Sequence, residues 1–259
     1  MQAIVTAGGM PVPSDALYTQ TAADYKVLLK IAGKPILQWV LDAIGQSKTI
    51  EHVVIVGMQS SDQITCELPH VFQEANGTLL ENIETGMKRV LELDPSTKKI
   101  LLISGDLPGI NGQIIDWMAA EIGRSEHEFY YPVVERSVME KKFPGAERTF
   151  VKLKEGEFCG GDVMGISPDL MTKDDNKGRK LVESRKNPLR QALILGLDMC
   201  LRLAVGSLSL EKDVPTITRR LGINGKAIVS PFAEMAMDVD KPHHLTVMEK
   251  YLTSNKERA

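Results

Sequence analysis

Residues 100–108 read Ile-Leu-Leu-Ile-Ser-Gly-Asp-Leu-Pro. Four apolar residues in a row, stopped by Ser104-Gly105-Asp106, have the pattern of a short strand buried on both faces of a parallel sheet. The chain opens the same way, with Ala3 to Thr6 running into Ala7-Gly8-Gly9, and the pattern returns at His52 to Val56 (HVVIV), stopped by Gly57. Between these runs the apolar period changes. Pro35 to Ile44 carries Ile36, Leu37, Val40, Leu41 and Ile44 at helical spacing, with Pro35 where a first helical turn tolerates it. Leu79 to Leu93 repeats the pattern with Leu79, Ile83, Met87, Val90 and Leu91, and Ile110 to Ile122 reads as a further helix. Strands alternating with helices predict an α/β fold whose mostly parallel sheet is covered on both faces.

The second half is less regular. Glu128 to Val134, containing FYYPVV, reads as a strand. Phe150 to Lys154 and Asp162 to Ile166 read as strands around a glycine turn. Leu189 to Leu203 reads as an apolar core helix and Val214 to Leu221 as a short one. Ala227 to Val229 reads as a last strand, and His244 to Tyr251 as a closing helix. Lys173 to Lys180 (KDDNKGRK) reads as a solvated loop. No internal repeat or low-complexity linker divides the chain, so residues 1–259 are expected to form one domain.

Composition narrows the function. The 259 residues are 43% hydrophobic and 25% charged, as in an average globular protein. Lys plus Arg total 31 and Asp plus Glu 34, a net charge of -3 that argues against a sequence-independent grip on nucleic acid. A small nucleotide, which needs only a few placed donors, stays open. Cys66, Cys159 and Cys200 are scattered and form no CxxC pair, which argues against a zinc knuckle or disulfide framework. No apolar run reaches the roughly 18–20 residues of a membrane span, and a soluble, cytoplasmic protein is expected.

In an open α/β sheet, ligands bind beyond the carboxyl ends of the strands. Three segments fall there: Ala7-Gly8-Gly9, Gly105-Asp106-Leu107-Pro108 and, near the end, Asp238-Val239-Asp240-Lys241-Pro242. Gly8-Gly9 lets backbone N–H groups approach an anion, although a tight turn alone would also use glycine. G-x-G-x-x-G and G-x-x-x-x-G-K-[ST] are both absent. Lys26, Lys30 and Lys34 form a basic patch suited to phosphate, or merely to a soluble surface. Asp106 at a strand end suits a hard cation, or equally an Asx-turn or helix cap. Asp238 and Asp240, two apart, share one side of an extended segment and repel unless a cation or lysine lies between them; capping of the next helix is the alternative for Asp240. The adjacent His243 and His244 are expected at the surface.

In this order the segments AGG (7–9), KVLLKIAGKP (26–35), GDLP (105–108) and DVDKPHHL (238–245) resemble the MobA-like nucleotidylyltransferases. The resemblance spans nearly the whole chain and rests on four motifs, each weak alone. It implies a Rossmann-like three-layer α/β/α fold of the GT-A type with a mostly parallel mixed sheet. It implies transfer of an NMP from an NTP to an anionic small-molecule acceptor with release of pyrophosphate. Carried over residue by residue, Ala7, Gly8 and Gly9 would hold the triphosphate, Lys26 would neutralise its charge, and Gly77 would contact the nucleoside, with Asn82 and Gly86 as secondary candidates there. Asp106, helped by Asp240 or Asp238, would hold Mg²⁺, with Mn²⁺ able to substitute; Lys26 and Asp106 are thus the implied catalytic pair. Gly160, Gly161 and Asp162 would face the acceptor; the basic Arg185 and Lys186, ahead of an apolar helix, could face it too, or equally form a solvated helix entry. GTP or CTP is the implied NTP, and a homo-oligomer is compatible with the resemblance.

The chain departs from the family at one place. The glycine-rich loop usually carries an Arg and a Gly shortly before its lysine, yet Met10 to Tyr25 contains neither, and 17 positions separate Gly9 from Lys26. The positive charge for the pyrophosphate must then come from Lys30, Lys34 or a later basic residue. Two rival functions follow: a catalytically weakened nucleotide sensor, supported by the missing arginine, or a GT-A glycosyltransferase that uses Asp238-x-Asp240 as its metal motif.

Overall fold

The computed structural model describes residues 1–9, 17, 25–172 and 196–256. The first half contains β1 (Gln2–Thr6), β2 (Lys30–Ile31), β3 (Lys34–Pro35), α1 (Ile36–Gly45), β4 (His52–Val56), β5 (His70–Gln73), α2 (Leu79–Leu93), β6 (Ile100–Ser104) and α3 (Gly112–Gly123). The second contains β7 (Phe129–Glu135), α4 (Arg136–Lys142), β8 (Val151–Leu153), β9 (Gly156–Gly160), β10 (Val163–Ile166), α5 (Leu197–Ala204), α6 (Leu210–Arg220), β11 (Gly225–Ser230) and α7 (Pro242–Lys256).

Strands β5, β4, β1 and β6 lie side by side and parallel, and the sheet continues antiparallel into β10 and β7, with β11 parallel to β7. Successive side chains of a strand face opposite ways. Ala3 and Val5 therefore pack with Leu37, Leu41 and Ile44 of α1 and Ile114, Ile115 and Met118 of α3. Ile4, between them, packs with Met87 and Val90 of α2. Both layers are dry, which is why β1, β4 and β6 are apolar without alternation. The mixed α/β sheet of the Rossmann type agrees with the expectation from sequence.

The bounds of β4 and α2 match the sequence reading, and those of α1 and α3 lie within two residues of it. The sequence pattern missed β2, β3, β5, β9 and α4. Phe150–Lys154 and Asp162–Ile166 do not flank a single turn; β8 pairs with β9 and β9 leads on to β10. β9 escaped notice because Gly156 and Gly160 at its ends read as turn residues. The expected core helix 189–203 is described only from residue 196, and its remainder lies outside the described residues. In α5, Met199 is buried, but Leu201 is 68% and Leu203 40% exposed, so this part is not core. Its packed side is instead partly polar: the Arg202 guanidinium chelates Asp213 of α6 at 2.5 and 2.7 Å.

One feature of the antiparallel half positions the site. β9 and β10 both run along β7, Gly160 opposite Val133 and Gly165 opposite Tyr130. Five steps on one side meet three on the other, so Gly161 and Asp162 form a bulge. The Gly161 N–H donates to Pro132 O at 2.9 Å, the Asp162 N–H to Met235 O at 2.8 Å, and Asp162 O accepts from Ser104 N at 3.0 Å. The bulge is thus pinned to the carboxyl end of β6.

Past the bulge, Gly165 lets α3 lie against the sheet: a Cβ there would come within 2.5 Å of Ile122 Cδ1. Gly165→Ala should therefore overpack this layer and cost about 1–3 kcal/mol, seen as a lower denaturant midpoint at unchanged m-value.

Candidate active site

After β1 the chain crosses to β4 on one side, whereas β6 lies on the other. The carboxyl ends of β1 and β6 thus bound the crevice where open α/β sheets bind ligands. Three backbone bonds fix what lies there. Gly105 N–H donates to Thr6 O at 2.8 Å and ties the two strand ends together. Lys26 N–H donates to Gly9 O at 2.8 Å and brings the lysine back to the glycine turn. Val239 N–H donates to Asp106 O at 3.1 Å and lays the acidic segment along the end of β6.

A cleft of about 300 Å³ opens at this point, lined by Thr6, Gly8, Gly9, Lys26, Val27, Val56, Gly77, Leu79, Asn82, Ser104 and Asp106. On one wall stands the N-terminus of α2, whose N–H groups favour an anion. Its cap is reciprocal: Thr78 accepts from Glu81 N at 3.3 Å, and Glu81 Oε2 accepts from Thr78 N at 2.6 Å. Gly77 is required by this cap, since it sits at φ +92° and a Cβ would lie 2.3 Å from Glu81 Oε2. Asn82 is held at the cleft wall, its Oδ1 accepting from Asn76 N at 2.6 Å.

At the mouth, Lys26 Nζ donates to Asp106 Oδ2 at 3.0 Å and to Asp240 Oδ1. The other oxygen of Asp106 accepts from Ser104 Oγ at 2.6 Å. Asp106, Asp238 and Asp240 each offer an oxygen within 4.8 Å of the others. Arg148 Nη1 lies 2.5 Å from Asp238 Oδ1, a charge contact without good hydrogen-bond angles. Asp162 is mostly buried beside them and feels the charges of Asp106, Asp240, Arg148 and Lys26. Among the described residues, four carboxyl groups therefore face two cations.

The titration of the cluster follows from this imbalance. Burial works against the Lys26 ammonium, but Asp106 and Asp240 more than offset it and hold the lysine above its ordinary value. Burial, and next a hydrogen bond to Asp240, push Asp238 up to about 8 despite Arg148. Burial would raise Asp240 too, but the proton it accepts from Asp238 and the Lys26 ammonium hold it at about 2. Burial, with Asp106 adding to it, lifts Asp162 to about 7 against Arg148 and Lys26. Without a further cation, the protein holds protons here that carboxylates ordinarily release.

Of the residues singled out from sequence, Gly8, Gly9, Lys26, Gly77, Asn82 and Asp106 line one cleft, with Asp238 and Asp240 at its mouth. Ala7 is buried beneath it. Gly86 is not at the cleft: it faces Ile4 and Val56, where a Cβ would come within 2.9 Å of Val56 Cγ1, so it is a packing glycine. Gly160 sits under the Tyr131 hydroxyl, and Asp162 rather than the glycines reaches the charged cluster. Lys34 pairs with Asp42 and lies over Trp39, and Lys30 and Lys34 line a separate groove with Gln38 and Thr65. Neither joins the cleft. Arg185 and Lys186 lie outside the described residues.

His244 is not at the surface but 2% exposed. Its ring meets that of His243 at 4.4 Å, because both turn to the Ala146 carbonyl. Burial first, then His243 and Arg148, lower its pKa to about 4. Sequence reasoning missed Arg148 and His244. Arg148 stands in an irregular stretch with no motif, and its only signal was the missing arginine in the loop.

The profile of the MobA-like NTP transferase domain matches residues 3–187. The chain belongs to this family and is classed with the nucleotidyltransferases. It is 22% identical over 150 residues to a probable molybdenum cofactor guanylyltransferase of Pyrococcus horikoshii, covering 56% of this chain and 75% of that protein. It superposes on a hypothetical transferase from Thermus thermophilus with a TM-score of 0.80 and 28% identity, over 94% of this chain and 98% of the other. The 4-diphosphocytidyl-2C-methyl-D-erythritol synthase of Anaerococcus prevotii shares the fold at a TM-score of 0.56 and 12% identity, over 97% and 95% of the chains.

Two measurements check this geometry. A Cβ on Gly8 would lie 2.8 Å from the Gly57 backbone, whereas one on Gly9 meets, among the described residues, only Lys26 Cβ, at 3.9 Å. Gly8→Ala should thus cost 2 kcal/mol or more, taking about 2 as the cost of a backbone-level clash, while Gly9→Ala leaves the melting temperature near wild type. The second concerns Asp162. Its folded pKa is raised, so the folded state holds a proton that the unfolded chain releases near 3.8, and stability falls as pH rises from there to about 7. In EDTA, Asp162→Asn should be more stable than wild type at pH 8, by on the order of 1 kcal/mol or more, with the gap closing toward pH 4.

Proposed function

We propose that this protein transfers an NMP from an NTP to a phosphorylated small molecule and releases pyrophosphate. The observation that carries the reading is the meeting of Lys26, Asp106 and Asp240 at the mouth of the glycine-lined cleft. An acceptor phosphate oxygen attacks the α-phosphorus, a new P–O bond forms, and the bond to the bridging oxygen of the β-phosphate breaks. That oxygen leaves on pyrophosphate. The nucleophile is already ionised, so the protein needs no covalent nucleophile; it must position the partners and offset their repulsion.

The residues have separate tasks in this reading. The N–H groups of Gly8 and Gly9 and the Lys26 ammonium take the triphosphate, Lys26 exchanging a carboxylate partner for a phosphate one. Gly77 and Asn82 border the nucleoside. Asp162, in the bulge it forms with Gly161 next to Gly160, borders the acceptor; Arg185 and Lys186, outside the described residues, are further basic candidates for holding it. Arg148 opposes the acceptor's negative charge. The names of the relatives favour GTP or CTP as donor.

The carboxylates fit a divalent cation. Three of them converge within 4.8 Å, negative groups outnumber positive ones among the described residues, and Asp238 is held above the ordinary carboxylate range by burial while Asp240 lies below it, an imbalance that a cation would relieve. Asp106, Asp240 and Asp238 would hold Mg²⁺ or Mn²⁺. Bound there, the ion would neutralise phosphate charge as it accumulates.

A thermal-shift panel of ATP, GTP, CTP and UTP, each with Mg²⁺ and with EDTA, tests the donor. At 100 times its dissociation constant the right NTP adds about 2.7 kcal/mol, or roughly 5–10 °C for a chain of this size. The shift should need the metal and vanish in Asp106→Ala. Lys26→Ala should reduce pyrophosphate release about 100-fold or more. A panel with no metal-dependent shift would overturn the reading.

A further inference from the structure

Asp240 is the most exposed of the three clustered carboxylates and stands in an irregular segment between Met237 and Pro242. The Val239 N–H to Asp106 O bond holds the backbone on one side of it; the other side is held through a side chain. Its backbone N–H donates to His244 Nδ1 at 3.2 Å, and His244 Nε2 lies 3.1 Å from the Ala146 carbonyl oxygen. A carbonyl only accepts, and the Asp240 N–H only donates. The ring is therefore the neutral tautomer with hydrogen on Nε2 and a lone pair on Nδ1.

The loop on the other side of this ring is itself unusual. Gly145 has φ +81° and Glu147 φ +49°, so the chain takes the left-handed conformation on both sides of Ala146, once without glycine's freedom. Such strain persists only where surrounding contacts over-determine it. Two residues beyond Ala146, Arg148 reaches Asp238. One loop thus holds both members of the acidic pair: Asp238 by charge, and Asp240 through the histidine. The His244 N–H to Lys241 O bond, 2.9 Å, fixes the start of α7 from which the ring projects.

We infer that His244 is a positioning residue: its ring bridges the Asp240 N–H to the Ala146 carbonyl and so sets the Asp240 carboxylate against Lys26 and Asp106. The inference rests on the metal reading of the carboxylate cluster. Its task differs from filling space, because one particular acceptor atom carries it. Asparagine places Oδ1 as many bonds from the backbone as Nδ1 and can accept from Asp240. Glutamine places a donor where Nε2 stands, can reach Ala146, and leaves the Asp240 N–H without its partner.

The test uses Mn²⁺ alone as probe, its binding to the full chain followed by electron paramagnetic resonance. His244→Ala and His244→Gln should weaken Mn²⁺ binding about 10-fold or more, the effect typical of lost supporting hydrogen bonds around a metal. His244→Asn should stay within about 3-fold of wild type, taking the restored acceptor as the deciding bond. Melting temperatures are measured alongside; if the alanine variant does not fold, the asparagine and glutamine pair decides. Nitrogen-15 NMR of the wild type should show His244 protonated on Nε2 only. Equal Mn²⁺ affinity across the variants, affinity losses that merely follow the melting temperatures, or a proton on Nδ1 would each overturn the inference alone. Mn²⁺ binding that is absent in wild type, or indifferent to Asp106→Ala, would instead overturn the metal reading and this inference with it.

Discussion

Lys26 Nζ joins Asp106 and Asp240, residues 80 and 214 positions away in the chain. That double contact is the constraint on which the site depends. Each partner is delivered by a different part of the fold: Lys26 by a bond to the glycine turn after β1, Asp106 by the end of β6, Asp240 by the segment laid along Asp106. Without the lysine, Asp106 and Asp240 would stand together in a partly buried place with Arg148, which is paired to Asp238, as the remaining counter-charge among the described residues. The lysine thus holds the strand ends in register with the acidic segment. It is also a donor that a phosphate could claim.

The same contact explains why the site is not self-sufficient in charge. Among the described residues, two cations with four carboxyl groups leave Asp238 and Asp162 above their ordinary range, with Asp240 forced below it. A structural ion-pair network would gain by balancing its charges or by giving up buried ones altogether. Here the excess is kept, at the carboxyl end of a parallel sheet and beside an open cleft. Perturbed groups in such a place mark chemistry more often than architecture.

How much of this could be read beforehand depended on whether a residue's reason was local. The strands β1, β4 and β6 were legible because a strand dry on both faces must be apolar throughout. α2 was legible because its stripe repeats over four turns. Asp106 and Gly105 were legible because a strand end is visible in sequence. β9 was not, since glycines at both its ends mimic turns and the bulge at Gly161–Asp162 interrupts the period. Arg148 and His244 were not, because Arg148 meets Asp238 and His244 meets the Ala146 carbonyl only in the folded chain, and without that second contact the His244 to Asp240 bond four residues away has no visible role. Lys30 and Lys34 misled for the opposite reason. Their closeness to Lys26 in sequence is undone by the β2–β3 hairpin, which commits Lys34 to Asp42 and Trp39.

The glycines show how far a sequence signal can carry more than one cause. Gly8 and Gly57 exclude Cβ atoms from each other, so that β1 and β4 can end side by side. Gly77 makes room for the Glu81 cap, and Gly86 for the sheet beneath α2. For these three regions packing is a sufficient reason for glycine, and the cleft is a consequence of the close approach. Gly9 differs, because the described structure around it offers a side chain ordinary van der Waals room. Its small size answers to no contact there other than the space beside Lys26. A tight turn was the plain reading of Gly8-Gly9; the fold divides that reading, assigning the first glycine to the sheet and leaving the second to face whatever enters the cleft.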